Sequence, residues 1–140
     1  MLRATLLVLL LFCSWTQAQQ DLVVIVNKTN PTDTLSHKAV VDMFMGKYLA
    51  FPDGSMAQTY DYQKDSQIRS TFLSAITGRS ISQINAYWSR VRFSGKVSPP
   101  QVFPDVMTVL DKVAHTANAI AYVPAHTVTA QVKVVYTIAQ

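Results

Sequence analysis

One short segment combines residue types that bind anions. Ser66 opens a pattern typical of a helix amino terminus, with Lys64 before it and Arg69 after it. A helix start presents N–H groups without intrahelical partners and a partial positive charge. The Ser66 hydroxyl and the N–H groups of Gln67 and Ile68 could therefore hold a phosphate, a sulfate or a carboxylate. Arg69 could add a bidentate hydrogen-bonding fork.

The same segment also permits a purely structural interpretation. In that case Asp65 or Ser66 caps the helix, and Arg69 lies in solvent. Asp65 would itself repel an anion. The residues alone leave both interpretations open.

Other reactive constellations have less support. No G-x-S-x-G turn presents a nucleophilic serine, and all eight acidic residues are aspartates at spacings that do not suggest a carboxylate pair. His37, His115 and His126 do not share a metal-binding spacing. The single cysteine, Cys13, lies in the amino-terminal apolar run. We therefore predict that the protein is not an enzyme and that it uses no metal or cofactor.

The first 18 residues have the layout of a cleaved secretory signal. Arg3 supplies a positive start, Ala4–Cys13 is almost continuously apolar, and Thr16–Ala18 offers small residues for cleavage. The apolar run is shorter than the roughly 20 residues of a membrane-spanning helix. We expect export across the inner membrane to the periplasm, no membrane span after cleavage, and a single domain over residues 19–140.

Strand and helix patterns alternate along that domain. The unbroken β-branched run Leu22–Val26 is typical of a strand buried on both faces. Four apolar stripes at helical spacing follow, the last starting near Pro104. The final predicted strand carries, on one side, Val132, Val134, Tyr136 and Ile138.

The predicted order of elements is β-α-β-α-α-α-β-β. Strands that are separated by helices require crossovers, and this favours an α/β fold built as a three-layer α/β/α sandwich. An all-helical bundle is the alternative, and the strand pattern of Leu22–Val26 argues against it.

The net charge of +4 is compatible with an anionic ligand or surface, but no basic run is dense enough to predict nucleic-acid binding. Tyr87 and Trp88 could stack on a ligand, although their place on an apolar stripe indicates the core. A basic docking face for a partner or for anionic lipid could surround the third helix, and a solvated surface is the alternative. The cations in question are Arg79, Arg90, Arg92 and Lys96.

Five segments occur in the order of a known family. They are Met43–Lys47, which matches "iFlGk", then Asp65–Phe72, Tyr87–Trp88, Phe93–Lys96 and Ala119–Val123, which matches "aIgYv". In this order they resemble the periplasmic phosphate-binding proteins of ABC transporters, the type 2 periplasmic binding proteins. The resemblance covers almost all of residues 19–140, and it corresponds to the second of the two lobes in that family.

The resemblance implies a solute-binding module that recognises a small phosphate-like anion weakly, with a second chain acting as the missing lobe. The family's phosphate loop resembles R-x-D-x-S-G-T, and only Ser66 of that loop is retained here. An alternative therefore stays open, in which an envelope protein uses the lobe as a scaffold for a protein partner.

Overall fold

The computed structural model describes residues 21–138, so the predicted signal segment lies outside the described part of the chain. The elements are β1 (Leu22–Asn27), α1 (His37–Phe44), β2 (Gln58–Tyr62), α2 (Gln67–Thr77), α3 (Ile81–Phe93), β3 (Gln101–Phe103), α4 (Val106–Ala114), β4 (Ala119–Pro124) and β5 (Val132–Thr137). The predicted order is confirmed with one addition, the short strand β3.

The strands form one mixed sheet in the order β3-β2-β4-β1-β5. β2 runs parallel to β3 and β4, whereas β1 pairs antiparallel with β4 and β5. Every residue of β1 and of β4 is buried, so both faces of the sheet are covered at its centre. The predicted three-layer α/β/α sandwich is confirmed.

Polar side chains fix where the helices begin. Ser36 accepts a hydrogen bond from the Ala39 N–H, and Ser80 forms a reciprocal capping box with Gln83. The fourth helix, expected to start near Pro104, begins two residues later. The Asp105 carboxylate caps the helix by accepting from the Thr108 N–H, so α4 begins at Val106.

Aromatic packing joins two helices to the sheet. The Tyr122 ring of β4 stacks on Phe72 of α2 with ring centroids 3.7 Å apart. Phe44 of α1 meets the same ring edge-on at 5.5 Å, and Tyr62 of β2 lies at 5.2 Å. Such contacts stabilise a core beyond the burial of area alone. They set the position of α2, whose amino terminus borders the candidate site.

A β-bulge interrupts the predicted alternation of side chains between the two faces of β5. Val24 pairs with Tyr136 and Ile25 pairs with Val134, which leaves Val135 as an extra residue on β5. Val135 is therefore buried, whereas Val134 is 39% exposed. The prediction that Val134 lies on the same side of the strand as Val132 is wrong because strict alternation fails at a bulge.

The bulge makes adjacent valines differ in their contribution to stability. Val135→Ala should lower the free energy of unfolding by about 2 kcal/mol, because it removes two buried carbon atoms and leaves a cavity. Val134→Ala, the matched control, should cost no more than about 1 kcal/mol. Urea denaturation measures both, and equal losses would contradict the bulge.

Candidate functional site

A cavity of about 160 Å³ opens where β2 ends, beside the start of α2 and one face of α3. Its lining contains three cationic side chains, those of Lys64, Arg69 and Arg92, and a single carboxylate, that of Asp61. Lys64 and Arg92 are exposed, whereas Arg69 is only 7% exposed. A buried cation at the base of a cavity and two exposed cations beside it attract anions.

An ion pair anchors the buried cation. The Arg69 Nε donates to Asp61 Oδ2 at 3.2 Å, and both side chains are 8% exposed. Arg69 Nη1 also donates to Asn85 Oδ1 at 2.9 Å, which ties the guanidinium to α3. The guanidinium is therefore held in one orientation by groups from β2 and α3.

The second oxygen of the carboxylate is also satisfied. Asp61 Oδ1 accepts from the Tyr122 hydroxyl and, at 2.7 Å, from the Tyr62 N–H. Burial raises the pKa of the Tyr122 phenol well above its ordinary value, and the negative charge of Asp61 raises this pKa further. Tyr122 therefore remains a neutral hydrogen-bond donor, and Asp61 has no free oxygen that must face the cavity.

The four residues predicted to bind an anion are not equivalent. Ser66 caps α2, since its hydroxyl accepts from the Arg69 N–H at 3.4 Å. Gln67 is exposed, Ile68 packs partly against the core, and only Arg69 lines the cavity. The alternative that Arg69 lies in solvent is wrong, because the Asp61 carboxylate draws its side chain into the interior.

Trp88 was considered as a stacking residue and Arg92 as part of a basic docking face, but no residue that α3 contributes to the cavity was predicted to bind an anion. Asn85, Trp88, Ser89 and Arg92 line it at spacings i, i+3, i+4 and i+7, which places them on one helix face. The apolar stripe of the same helix is adjacent and shares Trp88. The signal available in the sequence was this polar stripe, which lies beside the apolar stripe of α3 and could have indicated a site.

Trp88 is both a core residue and part of the cavity wall. Its side chain is 7% exposed, which confirms the core prediction, and it lies against the backbone of Gly46. A Cβ atom at Gly46 would be 2.9 Å from Trp88 Cη2 and 2.7 Å from Val97 Cγ1. Gly46 also has φ +70°, so both its conformation and this close approach favour glycine.

The other basic residues do not form one face. Arg79 lines a different cavity, of about 310 Å³, together with His37, Lys38 and Lys47. This second cavity lies near the carboxyl end of α2, whereas Arg92 lines the first cavity near the start of that helix. Arg79 and Arg92 thus lie in different places, and Arg90 and Lys96 line neither cavity.

Neither a metal-binding cluster nor a membrane-spanning helix occurs among residues 21–138. Within that range no three His, Cys, Asp or Glu side chains are grouped closely enough to hold a metal ion. No helix of the same range is long and apolar enough to cross a membrane.

Three solved structures are similar to this chain. The first is an ABC-type phosphate transport receptor from Vibrio cholerae, with a TM-score of 0.66 and 18% identity. The second is a Clostridium perfringens protein assigned as a phosphate ABC transporter substrate-binding protein and solved with bound phosphate, with a TM-score of 0.66 and 16% identity. The third, a possible phosphate binding protein from Planctomyces limnophilus, has a TM-score of 0.65 and 13% identity.

Each similarity covers 83% of this chain but only 45%, 44% and 40% of the three proteins, respectively. The chain therefore spans less than half the length of the proteins it resembles. At these identities the similarity establishes the fold, that of one lobe of a periplasmic binding protein. No protein-family model and no curated protein matches the sequence.

The Asp61–Arg69 pair provides a stability prediction. Asp61→Asn should lower the free energy of unfolding by about 3 kcal/mol, because it leaves the buried guanidinium without a counter-charge. Adding Arg69→Met to Asp61→Asn should recover part of that loss, since the unpaired charge is then removed. Denaturant titration of the single and double variants measures this coupling. Additive losses would contradict a coupled pair.

Proposed function

We propose that this protein is a solute-binding module that holds a small oxyanion in the cavity lined by Lys64, Arg69 and Arg92. The convergence of three cations on one cavity, with Asp61 as the only carboxylate, is the observation that carries the proposal. The fold shared with phosphate-binding receptors supports it. Export to the periplasm and the absence of catalysis belong to the same proposal.

The charges of the cavity favour an anion that is held reversibly. Asp61 is already paired with Arg69, and neither Lys64 nor Arg92 forms an ion pair within the described range. The two exposed cations remain available to a ligand, but solvent and salt screen them. We therefore propose modest affinity that decreases as the ionic strength rises.

Ser66, Gln67 and Ile68 have a supporting role in this proposal. None of the three lines the cavity, but the first turn of α2 adjoins it, and the partial positive charge of this helix start adds to the charge of Lys64. The Ser66 hydroxyl is engaged as the helix cap. Arg69, rather than Ser66, is therefore the proposed principal side-chain contact with the anion.

A thermal-shift series on the full chain tests anion binding. Phosphate and sulfate are compared with chloride at matched ionic strength. A ligand at 100 times its dissociation constant should stabilise the folded state by about 2.7 kcal/mol. A saturable shift with one oxyanion is the expected result. No shift at millimolar concentrations would overturn the proposal.

Paired charge variants then locate the binding. Lys64→Gln with Arg92→Gln should weaken oxyanion binding by at least tenfold, because two cations leave the cavity while the buried ion pair stays intact. Lys28→Gln with Lys112→Gln is the control, since it changes the net charge equally at exposed positions outside the cavity lining. Isothermal titration with phosphate measures both. An equal effect in the two double variants would contradict the assigned site.

A second candidate function is the protein-interaction scaffold, and one exposed aromatic residue favours it. Phe93 ends α3 and is 97% exposed, directly after Arg92. Large exposed aromatic side chains are enriched at protein interfaces. A partner chain would cover this residue and adjoin the cavity.

In-cell photo-crosslinking tests the second candidate. A photoreactive residue at position 93 should give a defined adduct, whereas one at position 107 should not. Met107, on α4, is the matched control because it is 73% exposed and does not line the cavity. An absence of adducts at position 93, or equal adducts at both positions, would contradict this candidate.

A further inference from the structure

The cavity has an apolar wall as well as its cations. Trp88 of α3 contributes an aromatic side chain, the segment leading into β3 contributes Pro99 and Pro100, and β3 itself contributes Val102. An inorganic oxyanion has no apolar surface that could pack against these groups. Ligand pockets usually combine such apolar walls with a few polar groups that fix orientation.

The guanidinium at the base of the cavity has one nitrogen free for a ligand. Arg69 Nε is engaged by Asp61 and Nη1 by Asn85, and Nη2 has no hydrogen-bond acceptor among residues 21–138. Over the same range no buried side-chain nitrogen or oxygen lacks a partner. Nη2 must therefore be open to solvent, and the cavity that Arg69 lines is where it opens.

The volume of the cavity indicates the size of the ligand. At about 160 Å³ it is comparable to the engineered cavity of about 150 Å³ that accepts benzene. The lining combines charged groups with apolar ones. A ring-sized apolar group can therefore lie against Trp88 and Val102 while an attached anionic group contacts Arg69.

We propose that the ligand is an organic anion, in which a carboxylate or phosphate group is attached to a flat, ring-sized apolar body. This inference rests on the proposed anion-binding function and adds the apolar half of the ligand. The anionic group accepts from Arg69 Nη2 and lies near Lys64 and Arg92, and the ring contacts Trp88, Pro99 and Val102. A carboxylate and a phosphate monoester share this chemistry.

Isothermal titration of the full chain compares four probes: inorganic phosphate, phenyl phosphate, benzoate and phenol. Phenyl phosphate should bind about tenfold more tightly than inorganic phosphate, because the ring adds six atoms in contact with the apolar wall. Benzoate should bind and phenol should not, because phenol brings the ring without the anion. Comparison of phenyl phosphate with benzoate then identifies which anionic group is preferred.

A wall variant separates this inference from the proposed function. Val102→Ser should weaken phenyl phosphate several-fold and leave inorganic phosphate unchanged, since it alters only the apolar wall. Val134→Ser is the matched control, because Val134 is similarly exposed on the other edge strand and lies outside the lining. Circular dichroism confirms that both variants fold.

The outcomes distinguish the organic-anion inference from the proposed anion-binding function. The organic-anion inference would be overturned, and anion binding preserved, if inorganic phosphate bound as tightly as phenyl phosphate. The same holds if Val102→Ser left the affinity for phenyl phosphate unchanged. The organic-anion inference would also be overturned if phenol bound as tightly as phenyl phosphate. No binding of any anionic probe would overturn both claims.

Discussion

Two opposite charges lie inside this small domain, and the surrounding structure has to satisfy them. The side chains of Asp61 and Arg69 are each 8% exposed, and moving a charge out of water costs several kcal/mol unless the charge is paired and fully hydrogen-bonded. The necessary groups come from four different elements: β2, β4, α2 and α3. The hydrogen bonds of Tyr122 and Asn85 therefore fix how these elements sit relative to one another.

The same arrangement gives the cavity its properties. Because Asp61 holds one edge of the guanidinium, Arg69 can occupy an interior position and still line the cavity. A cation in partly desolvated surroundings interacts with an anion more strongly than one in bulk water. Lys64 and Arg92, by contrast, are exposed to solvent. In the proposed site Arg69 is therefore the contact that the fold holds in place.

Local signals in the sequence predicted local structure well. The run Leu22–Val26 correctly predicted a strand buried on both faces, and Ser66 was correctly placed at a helix start. β3 was missed because it has three residues, two of them exposed. The bulge at Val135 was missed because it depends on how β5 pairs with β1, which no pattern within β5 reveals.

The site was predicted only in part for a similar reason. Arg69 was identified from its position near a helix start, but its partner Asp61 lies eight residues earlier, on a strand. Asn85 and Arg92 come from another helix, and their convergence on Arg69 depends on how α2 packs against α3. Pairings across elements of this kind follow from tertiary packing, so a single sequence identifies the candidates without showing which of them meet.

The most direct test of anion binding at this cavity is an NMR titration of the isotope-labelled protein with phosphate. The proposed site predicts that the Arg69 Nε–H and Trp88 indole signals shift in a saturable manner, together with the amides of Lys64 and Arg92. Shifts confined to the second cavity, around His37 and Arg79, would place the anion elsewhere. An unchanged spectrum at millimolar phosphate would contradict phosphate binding by this domain.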